Sequence, residues 1–233
     1  MLIEGAISVK AAISSNRRKV NKVYIDKDKK TKDFNYIRKI IKENNIEIKE
    51  INKNEFDNYQ KGKTFGGILA EVEERKSDQL ENGDIFVIDG IEDPFNIGYI
   101  MRSLYALGVN NIILPRRDYS NMEAQILKSS AGAYEYINVM YSDNLEDTIK
   151  ILKNNYYVYG LKRSDSSKDI FETSFKKNAI FLLGGEKRGL NAELEKLCDE
   201  YLYIPYGNEF RNSLNGCSAC AVVATLLFSQ RKK

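Results

Sequence analysis

Histidine and tryptophan are absent from these 233 residues, and there are only three prolines and three cysteines. Without histidine, Ser-His-Asp and Cys-His constellations and imidazole general bases are excluded. Cys198, Cys217 and Cys220 are odd in number and sit in apolar surroundings, which suits reduced thiols in a cytosol rather than a disulfide framework. Cys217 and Cys220 form a Cys-x-x-Cys pair, but a tetrahedral zinc site built on it would have to recruit carboxylates. No metal is expected, and small apolar packing is the expected role of the thiols. No apolar run approaches the ~20 residues that span a bilayer. The start, MLIEGAISVKAA, has an acid and no basic cluster ahead of its apolar residues, so it does not read as a secretory leader. A soluble, cytoplasmic protein is the expectation.

Charge of neither sign dominates. The formal net charge is +3, but the first 76 residues are net basic and the rest net acidic. The basic excess includes Arg17-Arg18-Lys19, Lys22, Lys27, Lys29, Lys30 and Lys32. Such an excess is compatible with phosphate contacts and equally with a solvated, lysine-rich surface.

Hydrophobic periodicity divides the chain in two. Residues 1–76 read as a small α/β unit, with helical spacing over Ile7–Ile13 and Phe34–Lys42 and short strands at Lys22–Ile25, Ile46–Ile48 and Gly66–Val72. Residues 77–83, within the charged run EERKSDQLENG, read as a linker. Residues 84–233 open with Ile85-Phe-Val-Ile88, an apolar run typical of a central parallel strand. Strands at Asn111–Leu114, Tyr136–Met140, Tyr156–Leu161, Ile180–Leu183 and Tyr201–Ile204 then alternate with helical segments over Ile97–Leu107, Met122–Ser130, Leu145–Lys153 and Asn191–Cys198. The last segment, rich in Ala, Val and Leu, starts at Ser213-Leu214-Asn215, an N-cap signature. The pattern is that of α/β architecture with a parallel sheet.

Three loops after apolar strands carry unusual residues. In Asp93-Pro-Phe-Asn-Ile-Gly-Tyr-Ile-Met-Arg102, Gly98 permits close backbone approach near a helix start, Asn96 sits at the loop mouth and Arg102 lies about a turn further. An Arg on so apolar a helix needs a partner or a polar site, or else faces solvent. In Leu183-Gly-Gly-Glu-Lys-Arg-Gly189 the glycines bare the backbone, and Glu186 and Arg188 could meet a ligand. The third loop is Tyr206–Asn215. Each also reads as an ordinary turn when taken alone. Neither the dinucleotide fingerprint nor a P-loop is present, and no acid ends the second strand of the larger part, where a ribose diol would want one.

The set NIGYIMR, LLGGEKRGL and IPYGNEFRNSLN resembles, in order and spacing, the three motifs of the SpoU-type (TrmH-like) RNA ribose 2′-O-methyltransferases of the SPOUT superfamily. The resemblance covers about residues 84–230, and residues 1–76 look like the ribosomal-protein-type RNA-binding domain that many of these enzymes carry. It implies a SPOUT-type parallel sheet with a carboxy-terminal trefoil knot, S-adenosylmethionine as methyl donor and a homodimer joined through the catalytic domains. Carried over by position, Gly184, Ile204 and Leu214 fall where the family binds the donor. Asn96, Arg102, Glu186, Ser213 and Asn215 fall on its catalytic and substrate positions. Arg17, Arg18 and Lys19 become candidate RNA contacts. The chain departs from the family at Gly216-Cys217-Ser218-Ala219, where Val-Ser-Val-Ala is usual, and at Thr64-Phe65-Gly66-Gly67, where His-Gln-Gly is usual. The implied substrate is structured RNA, ribosomal RNA before tRNA; a catalytically silent RNA-binding protein on the same scaffold is the alternative class.

Overall fold

The structure, a computed structural model, describes residues 1–59, 66–185, 189–209 and 212–232. In chain order the elements begin with β1 (Leu2–Glu4), α1 (Ala6–Ser15), β2 (Val20–Asp26), α2 (Lys32–Glu43), β3 (Glu47–Ile51) and β4 (Ile68–Val72). They continue with β5 (Ile85–Ile88), α3 (Pro94–Ala106), β6 (Asn111–Pro115), α4 (Glu123–Ser129), β7 (Asn138–Ser142), α5 (Leu145–Leu152) and β8 (Tyr157–Leu161). The last are β9 (Lys168–Asp169), β10 (Ala179–Leu183), α6 (Ala192–Glu195), β11 (Glu200–Tyr203) and α7 (Gly216–Arg231). Among the described residues no helix is long and apolar enough to cross a membrane.

Two compact units result, and their boundary is not a single cut: Met1–Lys76 groups with Tyr119–Tyr136, and Ser77–Asp118 with Ile137–Lys233. Sequence periodicity had put Tyr119–Tyr136 with the carboxy-terminal part.

The first unit holds a four-stranded sheet of order β1-β4-β2-β3. Strands β2 and β3 run parallel, joined through α2, and β4 is antiparallel to both β1 and β2. Helix α2 buries Phe34, Ile37, Ile40 and Ile41, the stripe that a 3.6-residue period requires. A 3₁₀ turn at Lys53–Tyr59 adds Phe56 to Tyr24, Ile51 and Leu69 in a separate apolar cluster. The segment Tyr119–Tyr136 contributes α4 and the 3₁₀ turn Ala133–Glu135. Its Gly132 (φ 86°) packs so close to α1 that an added Cβ would lie 2.8 Å from the Ala11 Cβ.

A buried ion cluster accounts for that grouping. Arg18 pairs with Glu123 at 2.5 Å and Glu135 at 2.8 Å, with its side chain fully buried. The Arg18 and Arg75 guanidinium groups lie 5.6 and 4.6 Å from the Tyr134 ring centroid. Burial works against the Arg18 charge, but the adjacent Glu135 and Glu123 more than offset it and hold its pKa above the ordinary value. Removing the acids' partner would strand buried charge, which is far costlier than the pair is worth when intact.

The second unit is built on an all-parallel seven-stranded sheet of order β7-β6-β5-β10-β8-β11-β9. Every residue of β5 and β10 is buried, as continuous apolar strands covered on both faces must be. Phe86 stacks on Phe181, which stacks on Tyr159, and Phe175 meets both Phe181 and Tyr159 edge-on. Strands β1 and β9, only three and two residues long, had no period by which to be read.

Candidate functional site

The adjacent central strands β5 and β10 lie where chain direction across the sheet changes, and in open α/β sheets ligands bind outside the carboxyl ends of strands at such a point. The loops there are tied to one another by backbone. Asp89 N–H donates to the Leu183 carbonyl at 2.8 Å, and the Asp89 carboxylate accepts from Asn191 N–H at 3.1 Å. Gly90 has φ 77°, a left-handed conformation that suits glycine. A Cβ on Gly185 would lie 2.5 Å from the Gly90 carbonyl oxygen, and one on Gly184 would overlap the backbone of Gly189 and Leu190. Both glycines are therefore required by space.

Helix α3 starts cleanly. Asp93 caps it by accepting from Asn96 N–H at 2.8 Å, and Pro94 occupies the first turn, where no donor is needed. Helix α7 is capped by Asn215, which accepts from Ser218 N–H at 2.8 Å. The two starts touch: Cys217 Sγ donates to the Asn96 carbonyl at 3.4 Å, and a Cβ on Gly216 would lie 2.5 Å from Ile91 Cδ1. The atom it would meet is the free end of the Ile91 side chain, which would have to move aside for a larger residue. After β11 the loop folds back, and the Tyr206 hydroxyl accepts from Leu214 N–H at 2.8 Å.

A cavity of about 320 Å³ lies among these loops, lined by residues 161–163, 183–185, 189, 202–204, 206, 213, 214, 216 and 219. Gly184, Ile204, Ser213 and Leu214 all line it. Asn96 and Asn215 sit beside it at the two helix starts. Arg102 is exposed on α3 and does not line the cavity; among the described residues it makes no ion pair. Glu186, with Lys187 and Arg188, lies outside the described residues, as do Thr64 and Phe65.

Of the three basic RNA-contact candidates, Arg18 is corrected. Its guanidinium is buried between two glutamates and cannot meet a phosphate. Arg17 is half-buried and donates to the Tyr136 carbonyl at 3.2 Å, while Lys19 is exposed. The cysteines are free thiols. Burial first, then Glu195, pushes the Cys198 thiol up to about 12, and burial pushes the Cys220 thiol higher still. Such thiols are inert at neutral pH. Among the described residues no group of three or more acids and cysteines is placed to hold a metal ion. Sequence reasoning missed Lys162 and Arg163, although they follow the apolar strand β8 as directly as the glycines follow β10.

An apolar cavity with bare backbone walls, set at the carboxyl ends of parallel strands, defines a small-molecule site in an α/β protein. Residues 84–225 match the model of the SpoU rRNA methylase family, and residues 2–77 that of the RNA 2′-O ribose methyltransferase substrate-binding domain. A Staphylococcus saprophyticus protein named for the TrmH family of tRNA/rRNA methyltransferases is 29% identical over 245 residues, covering 99% of this chain and 96% of its own. The fold is shared with the SpoU methyltransferase AviRb of Streptomyces viridochromogenes, solved with AdoMet (TM-score 0.81, 18% identity, 100% of this chain and 91% of that one). It is also shared with an AdoMet-bound rRNA methyltransferase of Sinorhizobium meliloti (TM-score 0.79, 19% identity, 99% and 87%). The chain belongs to the SpoU rRNA methylase family.

Proposed function

We propose that this chain transfers a methyl group from S-adenosylmethionine to a ribose 2′-hydroxyl in structured RNA, ribosomal RNA before tRNA, working in the cytoplasm as a homodimer. The observation that carries the reading is the convergence of Gly184, Ile204 and Leu214 on one cavity of about 320 Å³. Its residues fit the donor: apolar side chains suit a purine face, and Gly184 and Gly185, with no room for a Cβ, bring peptide backbone itself to the cavity wall. Bound there, the sulfonium would supply a methyl group already activated for displacement.

The rest falls to the chain's own side chains. Asn215 and Asp93 fix the helix starts beside the cavity. Arg102, with an RNA phosphate, orients the ribose hydroxyl and stabilises the charge that develops on its oxygen as the hydroxyl proton passes to solvent. It is not a simple base, because a guanidinium keeps its proton at any ordinary pH. Alignment can supply on the order of 7–11 kcal/mol, against perhaps 10²–10⁴-fold from general base work. Positioning should therefore dominate, with Asn96, Ser213 and Glu186 assisting at the substrate side.

Exposure of Arg102 supports the dimer. It shares the outer part of α3 with Phe95, Tyr99 and Tyr105, which are 48%, 48% and 40% exposed. Large aromatics left to water together mark an interaction surface, and a second copy seated there would carry Arg102 into an interface. A trefoil knot at the carboxyl end belongs to the same reading, as the family match leads one to expect. The matched substrate-binding domain and the exposed Lys19 support an RNA partner.

The test is Arg102→Ala. Methyl transfer to ribosomal RNA should disappear while S-adenosylmethionine still binds by calorimetry; equal loss of both would make Arg102 structural and sink the scheme. Mapping 2′-O-methyl positions in RNA from cells with and without the protein identifies the substrate.

A further inference from the structure

A fourth strand-end segment reaches the cavity, and it brings charge. Directly after β8, Lys162 and Arg163 stand on the cavity wall. Lys162 is engaged: its ammonium pairs with Glu195 at 2.6 Å and lies 5.7 Å from the Tyr201 ring centroid. Arg163 makes no ion pair among the described residues. Its guanidinium lies over Tyr206, 5.4 Å from the ring centroid. Tyr206 is the residue whose hydroxyl accepts from Leu214 N–H, so Arg163 rests on the side chain that fixes one wall. No acidic residue lines the cavity among the described residues. The result is one cation free of an ion pair among the described residues, lying over Tyr206, on the wall of a mostly apolar cavity.

We propose that Arg163 is a specificity residue for the amino-acid end of the methyl donor, its guanidinium pairing with the donor's α-carboxylate. The assignment rests on the donor reading above. A sulfonium nucleoside has two chemically distinct ends. Its adenosine suits apolar walls and bare peptide groups, whereas its carboxylate needs a cation. Guanidinium meets carboxylate through two parallel N–H bonds, a geometry lysine cannot offer. Stacking on Tyr206 restricts the Arg163 side chain before the ligand arrives, so less freedom is lost on binding. A backbone phosphate of RNA is the other oxyanion that this cation could take, and the experiment separates the two.

Calorimetric titrations of the full chain and of Arg163→Gln with S-adenosylhomocysteine and with 5′-methylthioadenosine test the proposal. The first ligand keeps the amino-acid end and the second lacks it. Arg163→Gln should weaken S-adenosylhomocysteine about tenfold, the scale of one good charged contact, and leave 5′-methylthioadenosine unchanged. Arg163→Lys should restore part of the loss. Equal weakening of both ligands would mean that Arg163 acts through Tyr206 and the wall, and would overturn the proposal. Unchanged S-adenosylhomocysteine binding with weakened binding of purified large-subunit ribosomal RNA would assign the cation to phosphate and overturn it too. Failure of the unsubstituted protein to bind either nucleoside would defeat the donor reading itself, a result distinct from loss at Arg163.

Discussion

Gly185 stands against Gly90 so closely that a methyl group on the former would sit 2.5 Å from the carbonyl oxygen of the latter. The contact is backbone to backbone, between the loops that follow β5 and β10, and neither partner can swing away like a flexible side chain. It sets the spacing of the cavity floor.

Gly185→Ala should therefore cost about 1–3 kcal/mol, the range for forced overpacking. In a chain of this size that lowers Tm by roughly 2–4 °C per kcal/mol, and donor binding should fall with it. Gly207→Ala is the control, since nothing lies within 4 Å of its added Cβ. Calorimetric melting of both variants checks the contrast; equal Tm values would refute it.

Arg18→Leu should destabilise by about 3–5 kcal/mol, because Glu123 and Glu135 would remain buried without their cation. Arg17→Ala, which removes the bond to the Tyr136 carbonyl from a half-buried side chain, should cost about 1 kcal/mol. Urea unfolding measures both. An Arg18→Leu loss no larger than that of Arg17→Ala would show the cluster to be solvated.

Alkaline pH should probe Cys198. Its folded thiol is pushed up to about 12 from 9.0, so the folded state holds a proton that the unfolded chain releases. The stabilising contribution is complete below pH 9 and is lost as pH climbs from 9 towards 12. The slope approaches about 1.4 kcal/mol per pH unit for one proton. Cys198→Ala should flatten that part of the stability profile. Tyr157, Tyr159 and Tyr201 are also raised, so the difference between variant and parent is the quantity to read.

Tyr99→Arg combined with Phe95→Arg should convert a dimer into monomers in sedimentation velocity, without lowering Tm by more than a degree or two, because both side chains are already about half exposed. A species whose mass does not change would place the interface elsewhere.

Much of this was legible from residue order. The buried stripe of α2, the continuous apolar strands β5 and β10, and the cap Asn215 follow from period and local chemistry, and they appear where expected. Gly184, Ile204, Ser213 and Leu214, singled out from the motifs, line one cavity. What failed needed long-range information. Arg18 reads as one of three adjacent surface cations until Glu123 and Glu135, more than a hundred residues away, are seen against it. Arg163 carries no signal in its own neighbourhood, because its meaning comes from Tyr206 and the cavity beside it.

The anions that neutralise Arg18 are encoded far downstream of the sheet they help to complete. A ribosome making this chain releases that sheet first, with Arg18 still lacking both carboxylates, which emerge only after β5, α3 and β6 have been synthesised. Transplanting residues 1–76 into another enzyme would reproduce that unfinished state permanently. A graft that carries Tyr119–Tyr136 as well would not.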